Sequence, residues 1–359
     1  MSGLLVLEAI TPSRIGGAEI FVANLCLKLP ELGAEMRLFS PADRRFVGYA
    51  RERGIECITW RTRGKLDPLT VIRLARLLKR GPFDVIHTHL STASLLGAFA
   101  ARLVKKPSVA HVHGLNTATC FRLSTLVIAV SEAVKRHLVA QGISAEKIRV
   151  VHDGIDLSRF NPVPLADARK RLGWDENRPV FGVFGRLSEE KGQGIAIEAL
   201  YLLTRDNPSA RLVIAGDGRD RADLETSAAA LGISESVQFA GFVEDVASLM
   251  SACDAVIVPS LKEGMGLAAV EAMALERPVI ASMVGGLSEV VDQRETGILV
   301  APCDPRALSD AMAELIENPG FAAAMGKRGR VVAEDRFDLD KQVGAVLNVL
   351  ESVVRRVDG

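Results

Sequence analysis

The sequence predicts an α/β protein that consists of two doubly wound domains. The chain has 359 residues, more than one hydrophobic core usually organises, so two domains are expected. Short apolar segments alternate with helical patterns, which is typical of parallel strands joined by right-handed crossovers. The alternation stops at residues 153–164, where Gly154, Pro162 and Pro164 predict a linker, and then starts again.

In the first half, short apolar segments predict the strands, and apolar residues at helical spacing predict the helices. The opening MSGLLVLEAI has no basic residue and contains Glu8, so we interpret it as a buried strand and not as a signal peptide. The predicted strands cover residues 4–10, 35–40, 83–88, 107–112, 126–130 and 148–152. The predicted helices cover residues 17–30, 68–80, 91–104 and 131–141.

The second half repeats the pattern. The predicted strands cover residues 179–184, 211–215, 236–240, 254–258, 278–282 and 297–300. The predicted helices cover residues 192–204, 219–232, 266–275, 304–317 and 321–333. A last helix over 339–355 carries Val343, Val346, Leu347 and Leu350 at helical spacing, so it requires a partner surface.

Composition restricts the class of protein. Hydrophobic residues make up 48% of the chain and charged residues 25%, as in soluble globular proteins. No apolar run reaches the roughly 18 residues of a membrane-spanning helix. The five cysteines are scattered and form no C-x-x-C pair, which favours reduced thiols in a cytoplasmic protein.

Charge is unevenly distributed, although the net charge is zero. Residues 1–150 contain 22 basic and 11 acidic residues, and the remainder contains 22 and 33. The basic half either faces an anionic surface or substrate, or consists of solvated helix faces. The basic residues concerned are Arg44, Arg45, Arg51, Arg53, Arg61, Arg63, Lys65, Arg73, Arg76, Lys79 and Arg80.

The most informative segment is SLKEGMGLAAVE at residues 260–271. It places Glu263 in a glycine turn after an apolar strand and Glu271 within the helix that follows. A strand, a sharp turn and a helix N-terminus form a suitable site for phosphate and polyol groups. Upstream, Arg186 and Lys191 follow the first strand of the second domain, where two cations can neutralise a diphosphate. Together these residues indicate an enzyme that handles a nucleotide-sugar.

Two further glycine turns follow strands. Gly16 and Gly17 allow backbone amides to approach an anion at a helix N-terminus, but a tight turn alone explains them as well. The segment AGDGR at residues 215–219 either shapes a base or ribose pocket or is a plain turn. Neither segment has the complete G-x-G-x-x-G pattern of a dinucleotide site.

Four of the six histidines form two H-x-H pairs, His87 with His89 and His111 with His113. Period-two spacing places the members of each pair on one face of a strand. Such pairs can ligate a metal, so a metal hydrolase is an alternative, but no nearby Asp or Cys completes a ligand set. We expect one or two of these histidines to contact substrate. Of the four, we expect His113 to be the active one, because it precedes Gly114 at a strand end.

Taken together, these segments resemble the retaining glycosyltransferases of family 4. The two glutamates of residues 263–271 match the E-x7-E pattern of that family, and the resemblance spans nearly the whole chain in order. The matching segments are GGAE at 16–19, HVHG at 111–114, DGID at 153–156, GRLSEEKG at 185–192, GDG at 216–218, EGMGLAAVE at 263–271, VGGLSEVV at 284–291 and GILV at 297–300.

The resemblance implies the GT-B fold, in which two Rossmann-like domains face each other across a cleft. Residues 1–160 would bind the acceptor and residues 161–336 the nucleotide-sugar donor. Residues 337–359 would form a helix that crosses back to the first domain.

The resemblance also implies roles for individual residues. Arg186 and Lys191 would bind the donor diphosphate, Glu263 would hold the transferred sugar, Glu271 would contact the ribose, and His113 would lie near the reacting sugar. The catalytic residues expected on this basis are His113, Arg186, Lys191 and Glu263. The donor-binding residues expected are Gly16, Gly17, Gly185, Gly216, Gly218, Gly264, Met265, Gly266, Leu267 and Glu271.

We therefore expect a retaining hexosyltransferase that uses a UDP-, GDP- or ADP-sugar and a glycan or lipid-linked acceptor. The expected pathway is bacterial envelope polysaccharide or lipopolysaccharide synthesis. The Arg–Lys pair would replace a metal, so neither a metal nor another cofactor is expected, nor a nucleic-acid partner. The expected location is cytoplasmic, with peripheral contact to the anionic inner face of the membrane. The alternatives are an epimerase or hydrolase of the same fold, and a non-catalytic nucleotide-sugar binder.

Overall fold

The structure is a computed structural model that describes residues 3–64 and 66–358, with the backbone alone for residues 356–358. Lys65, one of the basic residues named above, lies outside the described residues. The chain divides into two compact units, Met1–Gly154 with Leu339–Gly359, and Ile155–Asp338.

The first unit is built on a parallel sheet. Across residues 3–64 and 66–154 the strands are β1 (Leu5–Ile10), β2 (Glu35–Phe39), β3 (Cys57–Ile58), β4 (Val85–His89), β5 (Ser108–Val112), β6 (Leu126–Ala129) and β7 (Ile148–Val150). The helices of the same stretch are α1 (Gly17–Lys28), α2 (Arg45–Glu52), α3 (Pro68–Arg80), α4 (Leu90–Leu103) and α5 (Glu132–Ala140). The strand order is β3-β2-β1-β4-β5-β6-β7.

The second unit repeats this architecture with a parallel sheet of order β10-β9-β8-β11-β12-β13. Its strands are β8 (Val180–Phe184), β9 (Arg211–Ala215), β10 (Val237–Gly241), β11 (Ala255–Val258), β12 (Val279–Ser282) and β13 (Gly297–Val300). Its helices are α6 (Leu165–Leu172), α7 (Gln193–Leu203), α8 (Arg221–Ala230), α9 (Val246–Ser251), α10 (Leu267–Ala274), α11 (Leu287–Val290), α12 (Pro305–Glu317) and α13 (Pro319–Arg336).

The last helix, α14 (Leu339–Asp358), belongs to the first unit. Val343, Val346 and Leu350 are fully buried in a cluster that includes Val6 and Phe21. Burial of this apolar stripe removes it from water, which stabilises the return of the chain to the first unit. The amphipathic pattern of the sequence therefore predicted the need for a partner surface correctly.

Each strand and helix that the sequence predicted is present, with small differences at the ends. The sequence did not predict β3, α2, α6, α9 and α11, which contain two to eight residues. Tertiary contacts stabilise such short elements. In α6, for example, the buried Arg169 donates to Asp254 Oδ2 at 2.6 Å and to the Ala252 carbonyl at 3.1 Å.

Both sheets have the same switch in strand order. In each, the chain adds strands on one side of the first strand and then returns to add strands on its other side. The switch lies between β1 and β4 in the first unit and between β8 and β11 in the second. In open parallel sheets, the crevice outside the carboxyl ends of two such strands is the usual ligand site.

None of the helices in the described part of the chain combines the length with the apolar character needed to cross a lipid bilayer.

Candidate functional site

In the second unit, the predicted cations and the predicted carboxylate meet at the switch point. Arg186 and Lys191 lie in the loop that follows β8, and Glu263 lies in the loop that follows β11. Because β8 and β11 are adjacent parallel strands, their carboxyl ends bring both loops to one edge of the sheet.

Lys191 and Glu263 form a direct ion pair at this edge. Lys191 Nζ donates to Glu263 Oε2 at 2.7 Å, and the Ser260 hydroxyl donates to the same oxygen at 3.0 Å. The side chain of Glu263 is mostly buried and that of Lys191 is about one-third exposed. The pair therefore has a fixed geometry but remains open to an incoming ligand.

The backbones of the two loops are also bonded to each other. The Leu261 amide donates to the Glu190 carbonyl at 2.8 Å. Gly192 has φ +70°, and a Cβ at this position would lie 2.0 Å from the Pro259 carbonyl oxygen. Only glycine allows this approach together with a positive φ. The close contact of the two backbones is what places Lys191 against Glu263.

Arg186 is held by its own backbone and by a neighbouring carboxylate. Its guanidinium forms an ion pair with Glu190, and its carbonyl accepts a hydrogen bond from the buried Gln193 side chain at 2.8 Å. The Arg186 side chain is one-third exposed. The loop therefore fixes the position of the backbone while the guanidinium can exchange Glu190 for an anionic ligand.

Glu271 lies in α10, the helix that follows the Glu263 loop. Its electrostatic environment differs from that of the Lys191–Glu263 pair. Burial raises the pKa of its carboxyl to about 7, and the nearby charge of Arg159 opposes that rise only in part. Arg159 also lines a cavity of about 280 Å³ together with Phe160, Glu244 and Asp245. A carboxyl whose pKa is raised this far by burial is a functional-site candidate.

Gly185, Gly216 and Gly218, which were also expected to bind the donor, have a packing role in the structure. Gly216 has φ +145°, and a Cβ there would lie 1.9 Å from the Gly185 carbonyl oxygen. A Cβ on Gly218 would lie 2.0 Å from the Leu187 carbonyl oxygen. These contacts pack the turn after β9 against the Arg186 loop, so Gly185, Gly216 and Gly218 shape the loop irrespective of any ligand.

Gly264, Met265, Gly266 and Leu267 connect Glu263 to α10. Met265 is almost fully buried, and Leu267 is the first residue of the helix. The positive end of the α10 dipole therefore lies directly after Glu263, where it favours an anionic ligand.

In the first unit, Gly16 and Gly17 form the start of α1, directly after the loop that follows β1. The Gly16 amide donates to Glu19 Oε2 at 3.1 Å. Burial raises the pKa of Glu19, while hydrogen bonds to the Glu19 and Gly16 amides and the charges of His113 and Arg14 oppose the rise. Glu19 and His113 are thus electrostatic neighbours at the carboxyl edge of this sheet.

The histidine pairs form one cluster, and two carboxylates join it. The ring centroids are 4.3 Å apart for His87 and His89, and 4.5 Å apart for His111 and His113. Asp153 Oδ2 lies 2.8 Å from His113 Nδ1. Glu8 Oε1 lies 2.7 Å from His87 Nδ1 and 3.0 Å from His89 Nε2. The expectation that no nearby Asp completes the set was therefore wrong, because the fold brings Asp153 and Glu8 to the histidines.

Two groups within this cluster could hold a metal by proximity. The ligand atoms of His87, His89 and His111 lie within 4.8 Å of one another, as do those of His111, His113 and Asp153. However, both ring nitrogens of His89 and both of His113 already lie within hydrogen-bonding distance of a partner. The arrangement fits a hydrogen-bonded chain better than a tetrahedral coordination sphere, whose ligand atoms all point at one centre.

Sequence comparison assigns both halves of the chain. Residues 15–159 match the family described as Glycosyltransferase Family 4, and residues 166–332 match Glycosyl transferases group 1. A 2-deoxystreptamine glucosyltransferase of Streptomyces kanamyceticus is 32% identical over 309 residues, which cover 78% of this chain and 80% of the relative. The chain belongs to the group 1, family 4 glycosyltransferases.

Other relatives agree with this assignment. An Escherichia coli UDP-Gal:alpha-D-GlcNAc-diphosphoundecaprenol alpha-1,3-galactosyltransferase is 28% identical over 311 residues, 80% of each chain. The crystal structure of Anabaena Alr3699/HepE with UDP-glucose superposes with a TM-score of 0.86. That protein is 28% identical, and the match covers 97% of this chain and 100% of the other. The fold is accordingly GT-B, and the protein is a transferase.

Sequence reasoning missed three residues in this glycosyltransferase. Arg159 lies in the segment that was interpreted as a linker, yet its charge acts on Glu271. Asp153 opens the same segment and contacts His113. Glu8 had a clear signal, because a carboxylate within a fully buried strand requires a polar partner. A search for partners of Glu8 would have suggested the histidines, although not which of them.

Proposed function

We propose that this glycosyltransferase moves a hexose-type sugar from a UDP-sugar to an acceptor hydroxyl, with retention of configuration and without a metal. The ion pair between Lys191 and Glu263 carries the proposal. It places a cation suited to a diphosphate beside a carboxylate suited to sugar hydroxyls, at the switch point of the sheet. Arg186 adds a second cation in the same loop.

The chemistry follows from these charges. Arg186 and Lys191 stabilise the negative charge that develops on the departing diphosphate, a role that metal ions fill elsewhere. The acceptor oxygen attacks the anomeric carbon from the face that the diphosphate leaves. The bond from the anomeric carbon to phosphate oxygen breaks, and that oxygen takes the proton of the acceptor hydroxyl. The enzyme contributes positioning and charge stabilisation, with no covalent intermediate on the protein.

The nucleoside would bind beside Glu271. The Glu271 carboxylate can accept hydrogen bonds from both hydroxyls of a ribose. The cavity lined by Arg159 and Phe160 has room for further contacts. The binding of UDP-glucose by Anabaena HepE supports a uridine donor over the GDP and ADP alternatives.

The acceptor would be lipid-linked or a glycan of the bacterial envelope, and the protein would act at the cytoplasmic face of the membrane. The Escherichia coli relative, whose name specifies a diphosphoundecaprenol acceptor, supports this part of the proposal. A groove of about 430 Å³ in the first unit supports it too, because Arg73, Arg76 and Arg80 line it beside Trp60. Arginines beside an aromatic ring suit a phosphate-bearing lipid surface.

A thermal-shift panel tests the donor. UDP, GDP, ADP and their common sugar conjugates are compared with and without a chelator. We expect selective stabilisation by UDP compounds that the chelator does not change. Stabilisation by GDP or ADP alone would change the donor, and a dependence on metal would contradict the metal-free mechanism.

A transfer assay then tests the reaction. The stabilising donor is incubated with lipid-linked and glycan acceptors, and NMR of the product gives the anomeric configuration. We expect donor consumption that depends on the acceptor, with retention. Consumption without an acceptor would favour the hydrolase or epimerase alternative, and tight binding without turnover would favour a non-catalytic binder.

A further inference from the structure

Four side chains of the first unit form a continuous chain of short polar contacts. Asp153 Oδ2 lies 2.8 Å from His113 Nδ1, His113 Nε2 lies 2.9 Å from His89 Nδ1, and His89 Nε2 lies 3.0 Å from Glu8 Oε1. His87 Nδ1 contacts the same Glu8 oxygen at 2.7 Å. The side chains of Glu8, His87 and His89 are completely buried, so water does not compete for these contacts.

The number of hydrogens in this chain can be counted. Each contact is a hydrogen bond only if one hydrogen lies between its two atoms. The three contacts that involve His113 and His89 therefore need three hydrogens in total, carried by the four ring nitrogens or by the two carboxyl groups. Two neutral imidazole rings supply only two, and ionised carboxylates supply none. His87 uses its own Nδ1–H for Glu8 and cannot contribute.

We propose that Asp153, His113, His89 and Glu8 together hold one proton more than neutral rings and ionised carboxylates would, and that His113 carries it as an imidazolium. Asp153, His89 and Glu8 are then positioning residues for His113. With two carboxylates and one imidazolium, these four side chains have a net charge of −1. Without the extra proton the net charge would be −2, so the proton reduces the cost of burying the group.

The surroundings place the extra proton on His113 and not on His89. Burial, followed by the charges of His87 and His113, lowers the pKa of His89 well below its usual value. His113 keeps a small exposed surface and contacts the carboxylate of Asp153. The charged and titratable groups that face it are Asp153, Glu19, His89 and His111. Burial lowers the pKa of His111 as well, so this ring is neutral.

This protonation state restricts what His113 can do. Both of its ring nitrogens donate within the protein, to Asp153 and to His89, so neither is available to a substrate hydroxyl while the chain is intact. His113 would act through its fixed positive charge and its backbone. That consequence rests on the proposed glycosyl transfer, whereas the proton count does not.

Nitrogen NMR of the six histidines in the full-length enzyme tests the proton count. Long-range proton–nitrogen correlations distinguish a doubly protonated ring from each neutral tautomer, and single His→Asn variants assign the signals. At pH 7.5 we expect His113 to carry both hydrogens, His89 a hydrogen on Nε2 and His87 a hydrogen on Nδ1. A neutral His113, with the proton on a carboxyl or on His89, would overturn the proposal whether or not the protein transfers a sugar.

Two substitutions among these four residues separate the effect of the Asp153 charge on His113 from the effect of its hydrogen-bonded position. Asp153→Asn removes the negative charge and offers an amide N–H that can donate to His113 Nδ1, so His113 should become singly protonated at pH 7.5. His89→Gln keeps an acceptor for His113 and a donor for Glu8, so His113 should stay doubly protonated. Glu56→Gln, at an exposed ion pair with Arg37 in the same unit, serves as the control.

Kinetics of these variants test the positioning role. For Asp153→Asn we expect kcat to fall roughly 10- to 100-fold, the effect of one lost hydrogen bond to a charged group, with the donor KM nearly unchanged. The loss should be larger at pH 8.5 than at pH 6, because the unpaired ring keeps its extra proton only at lower pH. Equal losses in Asp153→Asn and His89→Gln, without a change in pH profile, would show a purely structural role.

Discussion

Lys191 Nζ lies 2.7 Å from Glu263 Oε2, although 72 positions separate the two residues in the sequence. The contact results from the adjacency of β8 and β11 and from the packing of Gly192 against the Pro259 carbonyl. A cation and a carboxylate that touch at a switch point can contact neighbouring groups of one ligand.

A double-mutant cycle tests whether Lys191 and Glu263 act as a unit. Lys191→Met and Glu263→Gln should each lower kcat by about 10² or more, since each removes a group that contacts the donor in the proposed transition state. The double variant should lose much less than the product of the two single losses, because residues that act together are not additive. Fully multiplicative losses in kcat would mean that the two side chains act independently.

Arg186→Ala should lower turnover by roughly 10²–10³ with the fold intact, the magnitude for one lost charge-stabilising donor. The side chain is partly exposed, so thermal unfolding should change little. The matched control is Arg294→Ala, which removes an arginine from an exposed ion pair with Glu314 in the same unit. Unchanged turnover in Arg186→Ala would remove the diphosphate role assigned to this residue.

Glu271 should destabilise the unliganded protein at alkaline pH. Burial raises its pKa to about 7, above the ordinary value of 4.5, so the folded state retains a proton that the unfolded state releases. The favourable contribution of the protonated carboxyl is complete below about pH 4.5 and is lost as the pH rises through about 7, at a cost on the order of 3 kcal/mol. Glu271→Gln should therefore raise the thermal midpoint at pH 8 and leave it nearly unchanged at pH 4.5.

The affinity for the donor should rise with pH, whereas the stability of the unliganded protein should fall. If the ionised Glu271 carboxylate accepts the ribose hydroxyls, UDP affinity should rise about tenfold between pH 6 and pH 8 as the carboxyl loses its proton. Calorimetry in two buffers would detect the released proton. Glu271→Gln should bind more weakly and without this pH dependence, whereas an identical pH dependence in the variant would assign it to another group.

Gly192→Ala should unfold more easily and lose activity. Its positive φ and the Pro259 carbonyl at 2.0 Å from a new Cβ predict a loss of about 1–3 kcal/mol, as in other overpacked sites. Gly194→Ala is a matched control two residues away in α7, where the nearest atom to a new Cβ is 4.0 Å distant. That variant should gain about 0.5–1 kcal/mol, as is usual for Gly→Ala in a helix. Equal effects would contradict the contact of the two loops.

The groove of α3 should bind anionic membranes. Sedimentation with vesicles of phosphatidylglycerol and phosphatidylcholine, at two salt concentrations, measures the affinity. Changing Arg73, Arg76 and Arg80 together to Gln should reduce it on the order of 10²-fold, at about 1 kcal/mol for each charge near the surface. The same change at the exposed Arg205, Arg219 and Arg306 of the second unit is the control. Vesicle affinity that changes neither with salt nor in either triple variant would exclude this groove as the membrane-binding surface.

Much of the fold could be predicted from the sequence because its signals are local. Apolar segments of four to seven residues gave the strands, and helical spacing gave the longer helices, including the apolar stripe of α14. Short elements could not be predicted in the same way. The helix α6, for example, is stabilised by contacts of Arg169 with Asp254 and Ala252, which are distant in the chain.

The candidate site followed a similar division. Residue type and position after a strand identified Arg186, Lys191 and Glu263 as candidates, and Glu271 was identified within the helix that follows Glu263. The interpretation of residues 153–164 as a linker concealed Asp153 and Arg159, whose roles depend on side chains far away in sequence.

The sequence by itself determined the α/β class, the order of the main elements and the family, because each depends on residue patterns that are continuous along the chain. Tertiary structure alone decided which side chains touch. Glu8, His89, His113 and Asp153 lie on four different segments, and only the order of strands in the sheet brings them to one edge. Their protonation depends on burial and distance, and neither quantity is encoded in a local pattern.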